Sequence, residues 1–264
     1  MGSVKNSLSG NLMKNSINFD IVADIYDTYV NVDFDIPFFL KETENYKKDI
    51  LELMCGTGRI SIPLLQAGRK MVCVDYSNCM LDVFKEKISG RRYEVKLVNM
   101  DVTELKLPNK FGMILLPFNS LSEIIEKEKQ IEAIKRIGGC LETGGTFICA
   151  MQNPVIKLKA ADGIKRTLGE FRANNHEKIL VSYMNKWNPQ TGIVSGYQVY
   201  ELFDGNNLIK ETRRLEINFR PLTDDEFQEI VERSGMNIKE IFGDYSYSPY
   251  VRESSEFMIY KITK

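Results

Sequence analysis

Two glycines and three acids are the residues of this 264-residue sequence whose types and spacing suit chemistry. Gly56 and Gly58 lie within LELMCGTGR, residues 51–59, after a short apolar run and before a helical pattern. Glycines so placed let the chain turn sharply into a helix, and a ligand can then lie against bare peptide N–H groups. Alone, that turn also suits a dinucleotide enzyme or no ligand at all. Asp75 sharpens the expectation, because it ends the next apolar run, where a doubly wound sheet sets a carboxylate beside a ribose and can accept from both hydroxyls. Asp101 closes a third run and is placed to receive an adenine amino group. Glu52, Asp75 and Asp101 thus stand on successive strands, at the sheet edge that binds ligands.

The elements that must position them follow from hydrophobic periodicity. Val22, Ile25, Tyr26, Tyr29 and Val30 share one face of an amphipathic helix starting at Phe19, and a second helix covers residues 36–46. Strands are expected over 49–53, 71–74, 95–101, 111–116 and 146–151. Helices are expected over 60–67, after an Ser77 N-cap with Met80, Leu81, Phe84 and Ile88 facing the core, and over 121–137. This alternation implies an α/β fold: a doubly wound, Rossmann-like sheet, parallel with an antiparallel C-terminal strand. After Asn153-Pro154 the pattern changes to strands 178–187, 194–203 and 208–219 joined by short turns, an antiparallel β insertion. A helix with a Thr223/Glu226 capping box, ended by Gly235, and strands 238–242 and 257–262 then rejoin the first sheet. The expected organisation is a disordered lead-in, 1–16, a ligand-binding domain of 17–155 and 221–264, and an insertion of 156–220.

Composition narrows the partners. Lys+Arg 35 against Asp+Glu 36 gives a formal charge of −1, so no global positive field draws in nucleic acid, and Arg91-Arg92 and Arg213-Arg214 read as solvated pairs. Five cysteines without CxxC spacing read as reduced thiols. No stretch approaches the ~20 apolar residues of a membrane span, and the N-terminus has no apolar signal core. A cytoplasmic protein is expected, and exposed sheet edges make a homodimer plausible.

These residues resemble the class I S-adenosylmethionine-dependent methyltransferases over residues 18–264. The resemblance implies that Glu52, Leu53, Met54, Cys55, Gly56 and Gly58 form the first cofactor motif and that Asp75 binds the ribose. It implies further that Tyr76 and Met80 flank the adenine, that Asp101 and Val102 read it, and that Leu116 and Pro117 lie between cofactor and acceptor. Tyr26 would border the sulfonium, and Tyr29, Phe118, Asn119 and Ser120 would meet the acceptor. The insertion resembles that of enzymes methylating amino sugars and glycine-like amines, where it serves as a lid or dimer contact. Met54 departs from the small residue usual in the glycine motif, and Gly112 from a common acid. Pro117-Phe118-Asn119-Ser120 is not the Asn/Asp-Pro-Pro-Tyr loop used on DNA and protein nitrogens. The third position of a dinucleotide fingerprint falls on Ser61, which favours S-adenosyl-L-methionine over NAD.

Methyl transfer is an in-line displacement, so the protein need only hold a nucleophile ~3 Å from an activated carbon and exclude water; no metal is required. The expected activity is methylation of a nitrogen or oxygen of a small-molecule acceptor, an amine preferred, releasing S-adenosyl-L-homocysteine. Alternatives are O-methylation of a phenol or hydroxyl and a non-catalytic S-adenosylmethionine-binding module. Tyr26 and His176, the single histidine, are the catalytic candidates. Trp187, Tyr245, Tyr247 and Tyr250 suit either an aromatic pocket or core.

Overall fold

A computed structural model describes residues 17–172 and 178–264. The first five apolar runs form strands, β1, β2 and β4 short and largely buried, β3 at the half-exposed sheet edge and β5 longer: β1 Asp49–Leu53, β2 Lys70–Asp75, β3 Val95–Asn99, β4 Phe111–Leu116 and β5 Leu141–Gln152. Next come β6 Arg166–Arg172, β7 Lys178–Asn188, β8 Ile193–Phe203 and β9 Ile209–Phe219, then β10 Asn237–Phe242 and β11 Phe257–Thr263. Seven strands form one sheet in the order β10-β11-β5-β4-β1-β2-β3, and β6 to β9 form a four-stranded antiparallel sheet. All pairings among β1 to β5 are parallel, whereas β11 runs antiparallel to β5 and to β10. The strand order reverses between β1 and β4, and the carboxyl ends there open the crevice in which such sheets bind ligands.

The helices are α1 Tyr26–Tyr29, α2 Ile36–Glu42, α3 Ser61–Gln66, α4 Asn78–Ile88, α5 Lys127–Cys140, α6 Pro154–Lys157 and α7 Asp224–Arg233. Alternate residues of β1 feed opposite cores, as the two-residue period of a strand requires. Leu51 and Leu53 pack with Phe147, Phe227 and Tyr260 on one face, and Ile50 packs with Phe39, Leu64 and Phe84 on the other. Ser77 caps α4 as expected, accepting from the Met80 amide at 3.0 Å.

Several elements differ from expectation, each for a tertiary reason. The N-terminal amphipathic segment is a 3₁₀ turn, Phe19–Ile21, and the four-residue α1 rather than one helix. Its acids are pulled three ways: Asp20 accepts from Ser77 at 2.5 Å, Asp24 from Arg213 at 3.0 Å, and Asp27 from Thr57 at 2.5 Å. Val22, Ile25 and Tyr29 are nonetheless buried, against Tyr200 and Leu215 of the second sheet. The charged helix begins at Lys127, not at residue 121, and is preceded by a separate 3₁₀ turn, Ser120–Glu123. Asp101 lies beyond the end of β3, where it caps a 3₁₀ turn over Val102–Glu104 by accepting from the Thr103 amide at 2.7 Å. Strand β6 had no clear sequence signal, because its residues are half-buried or exposed and its charges mask the alternation. Only half of the capping box forms: Thr223 accepts from the Glu226 amide at 3.3 Å, but the Glu226 carboxylate pairs with Arg220 at 2.6 Å and Lys127 at 3.3 Å. No helix among the described residues is long and apolar enough to cross a membrane.

Candidate functional site

The loops after β1, β2, β3 and β4 border a cleft of two adjoining pockets. Tyr26, Glu52, Cys55, Gly56, Arg59, Asp75, Met80, Pro117, Phe118 and Ser120 line the first; Val74, Met100, Asp101, Val102, Thr103 and Ile124 line the second; Met54, Tyr76 and Glu123 line both. The sheet edge therefore gathers most of the residues that the sequence singled out.

Asp75 joins the loops together. Its carboxylate accepts from the Gly56 amide at 2.8 Å and from the Ser77 amide at 2.9 Å, so each oxygen holds one loop. Burial raises its pKa to about 6, while the bonds from Ser77 and Gly56 pull the other way. Gly56 and Gly58 have φ of +55° and +84°. At Gly58 a Cβ would also come within 2.7 Å of the Phe84 ring, so the turn must be bare to seat on α4.

Glu52 lies beneath the turn, 1 % exposed, accepting from the Ser61 hydroxyl, which itself lies 3.1 Å from the Cys73 sulfur. Burial raises its pKa to about 8, against the lowering effect of the Ser61 bond. An unfolded glutamate titrates near ~4.3. Between those values the native chain binds more protons than the unfolded one, so the ligand-free protein is expected to lose stability as pH rises from 5 to 8. Urea midpoints across that range should fall in the parent and fall less in Glu52→Gln; equal slopes would remove Glu52 as the cause.

The cleft lip is strained. Met54, Phe118 and Asn119 have φ of +53°, +60° and +64°, in the left-handed region that costs a residue with a Cβ. Such strain persists where surrounding contacts over-determine it, and it clusters at ligand sites. Arg59 supplies part of that constraint: it forms two bonds to Asp35, at 2.5 and 2.7 Å, donates to the Val32 carbonyl at 3.1 Å, and lies 4.3 Å from the Phe118 ring centre.

The other expected residues take several positions. The Asn119 side-chain oxygen accepts from Ser122 and from the Gln152 amide, each at 3.0 Å, and so ties the loop to β5. Ser120 borders the cleft, but its hydroxyl donates to the Pro117 carbonyl at 2.9 Å. Tyr29 is buried with its ring centre 4.9 Å from that of Tyr200, a packing position between the N-terminal segment and the second sheet. Leu53 and Leu116 are core residues beneath the cleft, so only their backbone reaches toward it. Tyr245 and Tyr247 pack on Phe38 as core. His176 lies outside the described residues.

Arg59 and Glu123 are among the cleft side chains that were not singled out from sequence. Arg59 ends the glycine motif, and its position there was a signal. Glu123 gave none, because residues 121–137 read as one charged helix whose surface it would share; the 3₁₀ turn instead points it into both pockets. Burial, helped by the negative charge of Asp75, raises its pKa to about 8. Tyr26 faces it, and its hydroxyl is pushed well above the usual range by burial and by that carboxylate.

The donor set fits a nucleoside carrying a charged tail better than a metal. Asp75 offers two acceptors for vicinal hydroxyls, and Met100, Val102 and Ile124 form an apolar slot next to Asp101. No cluster of metal-ligating side chains occurs among the described residues.

Comparison with known proteins agrees. Residues 50–145 match the methyltransferase domain family model. The eEF1A lysine and N-terminal methyltransferase of Bos taurus is 24% identical over 206 residues, covering 67% of this chain. This chain matches only 28% of the length of that relative. The cypemycin N-terminal methyltransferase of a Streptomyces species is 25% identical over 215 residues, 80% of this chain and 82% of the relative. Among solved structures, an S-adenosylmethionine-dependent methyltransferase from Clostridium acetobutylicum superposes with a TM-score of 0.76 at 23% identity, over 93% of this chain and 98% of that one. With the glycine turn and the switch-point aspartate, residues 50–145 carry the methyltransferase domain, and the chain shares the fold of S-adenosylmethionine-dependent methyltransferases.

Proposed function

We propose that this chain transfers the methyl group of S-adenosyl-L-methionine to the nitrogen of a small-molecule amine. The observation that carries this reading is the cleft itself, in which Asp75 shares one pocket with Tyr26, Phe118 and Glu123. Aromatic faces and a carboxylate favour a cation. The bound donor supplies an electrophilic methyl on a sulfonium, and the protein supplies position. Asp75 accepts from the ribose, Asp101 and Val102 border the adenine, and Glu52 with Leu53 to Gly58 shapes the turn under the donor. Tyr26, Pro117 and Phe118 close the acceptor side against water. Residues 17–155 and 221–264 act as the donor-binding domain. Residues 156–220 brace the acceptor side through Tyr200, which packs behind the segment carrying Tyr26.

The same nitrogen chemistry suits the terminal amine of a peptide, which the names of the Bos taurus and Streptomyces relatives favour as a second reading. Incubation with methyl-labelled S-adenosyl-L-methionine and a panel of small amines, phenols and short peptides separates these readings. Label on a small amine is the expected result. Label on peptides alone selects the second reading, and label on phenols alone overturns the nitrogen assignment. Calorimetric titration that finds NAD bound in place of the methyl donor overturns the whole proposal.

A further inference from the structure

We infer that the Glu123 carboxylate is the anionic end of the acceptor site, pairing with the protonated nitrogen of an amine acceptor and taking its proton before transfer. The inference rests on the amine reading above and assigns that step to one residue.

Glu123 ends the 3₁₀ turn that follows β4 and borders both halves of the cleft. The turn does not need it. The Gln130 side chain donates to the Leu121 carbonyl at 3.3 Å, and Ser122 and Asn119 bond to each other at 3.0 Å. No hydrogen bond or ion pair to its carboxylate occurs among the described residues. The charged and titratable groups around it come from every wall. Asp75 and Tyr76 follow β2, Tyr26 is on α1, Asp101 follows β3, and Glu126 and Lys129 lie at the start of α5. Arg59, the cation of the first pocket, is engaged by Asp35. Lys129 of the second pocket is engaged by Glu126 at 3.0 Å, so a carboxylate held in such a cleft with an acid nearby and both cations committed elsewhere is unfavourable when ionised. A ligand cation removes that penalty, and the raised pKa makes the group a competent proton acceptor near neutral pH.

The step balances. The ammonium N–H bond breaks and a carboxyl O–H bond forms, leaving the lone pair on nitrogen. That pair bonds to the methyl carbon as the C–S bond breaks with its electrons on sulfur, giving a methylammonium and a thioether.

Sinefungin tests the assignment without turnover, because it carries a C–NH3⁺ group where S-adenosyl-L-methionine carries S⁺–CH3, whereas S-adenosyl-L-homocysteine carries no charge there. Calorimetric dissociation constants for all three would be measured on the parent, Glu123→Gln and Glu123→Asp at pH 6.5 and 8.5. In the parent, preference for sinefungin over S-adenosyl-L-homocysteine is expected to rise with pH. In Glu123→Gln sinefungin should weaken by about tenfold or more and lose that rise, while S-adenosyl-L-homocysteine stays within about threefold. Glu123→Asp should recover part of the difference. Equal weakening of all three ligands makes Glu123 structural, and unchanged sinefungin binding removes it from the site. Matching losses of sinefungin and S-adenosyl-L-methionine assign it to the sulfonium instead of the acceptor, which also overturns the inference. If the parent binds none of the three, the proposed function fails and the assignment to Glu123 falls with it.

Discussion

Asp75→Asn is expected to weaken binding of S-adenosyl-L-methionine by about 100-fold or more, measured by calorimetry at pH 7.5. The carboxylate has four acceptor sites, and two are taken by the amides of Gly56 and Ser77. The other two are what a ribose diol would use. An amide turns two of the four acceptors into donors, so it must oppose either a loop N–H or a hydroxyl. Each charge-assisted bond contributes about 1.5–3 kcal/mol, and an orphaned amide costs about 1–3 kcal/mol. One lost bond and one orphaned amide together cost about 2.5–6 kcal/mol, hence the factor. A pH signature accompanies it. The ligand binds the ionised carboxylate, whose pKa is raised to about 6, so affinity should rise between pH 5.5 and 7.5 in the parent and rise less in the variant. A variant that binds within about threefold of the parent at both pH values would show that Asp75 does not touch the donor.

Gly58→Ala should be the most destabilising single-methyl substitution in the motif, by about 2–4 kcal/mol in urea unfolding. Two effects add. A left-handed φ of +84° costs any residue with a Cβ, on the order of 1 kcal/mol. The methyl would also lie 2.7 to 2.8 Å from three atoms of the Phe84 ring, which is fully buried between the motif and α4. Relieving that overlap requires repacking at about 1–3 kcal/mol. Gly56→Ala provides the internal comparison, since φ is +55° there and nothing lies within 4 Å of its Cβ, so only the conformational part should appear. The double change with Phe84→Leu should recover the packing part and leave the conformational part. Equal losses at Gly56 and Gly58 would mean that Phe84 yields freely.

Both effects come from residues legible in the sequence, and the reason is that they answer to local rules. The glycine turn, the Asp75 strand end and the Ser77 cap each depend on a few neighbouring residues and on the two-residue period of buried strands. The strand positions β1 and β4 and the hairpins of the second sheet depend on the same things, and they formed where the pattern put them. The N-terminal segment did not become a single helix, although its apolar spacing was helical. Asp20, Asp24 and Asp27 each found a partner on a different element, and those bonds outweigh a weak helical preference.

The sequence by itself determined the class of fold, the sheet edge at which the cleft opens and the acid, Asp75, that stands in it. The tertiary structure alone decided which polar side chains face the cleft. Asn119 turned inward to hold β5, and Tyr29 was buried against Tyr200, because a side chain in a left-handed loop or at a sheet junction takes its partner from distant chain. Glu123 went the other way. A 3₁₀ turn where periodicity had drawn a helix rotated it from the expected surface into both pockets, and no local rule in residues 121–137 encodes that rotation.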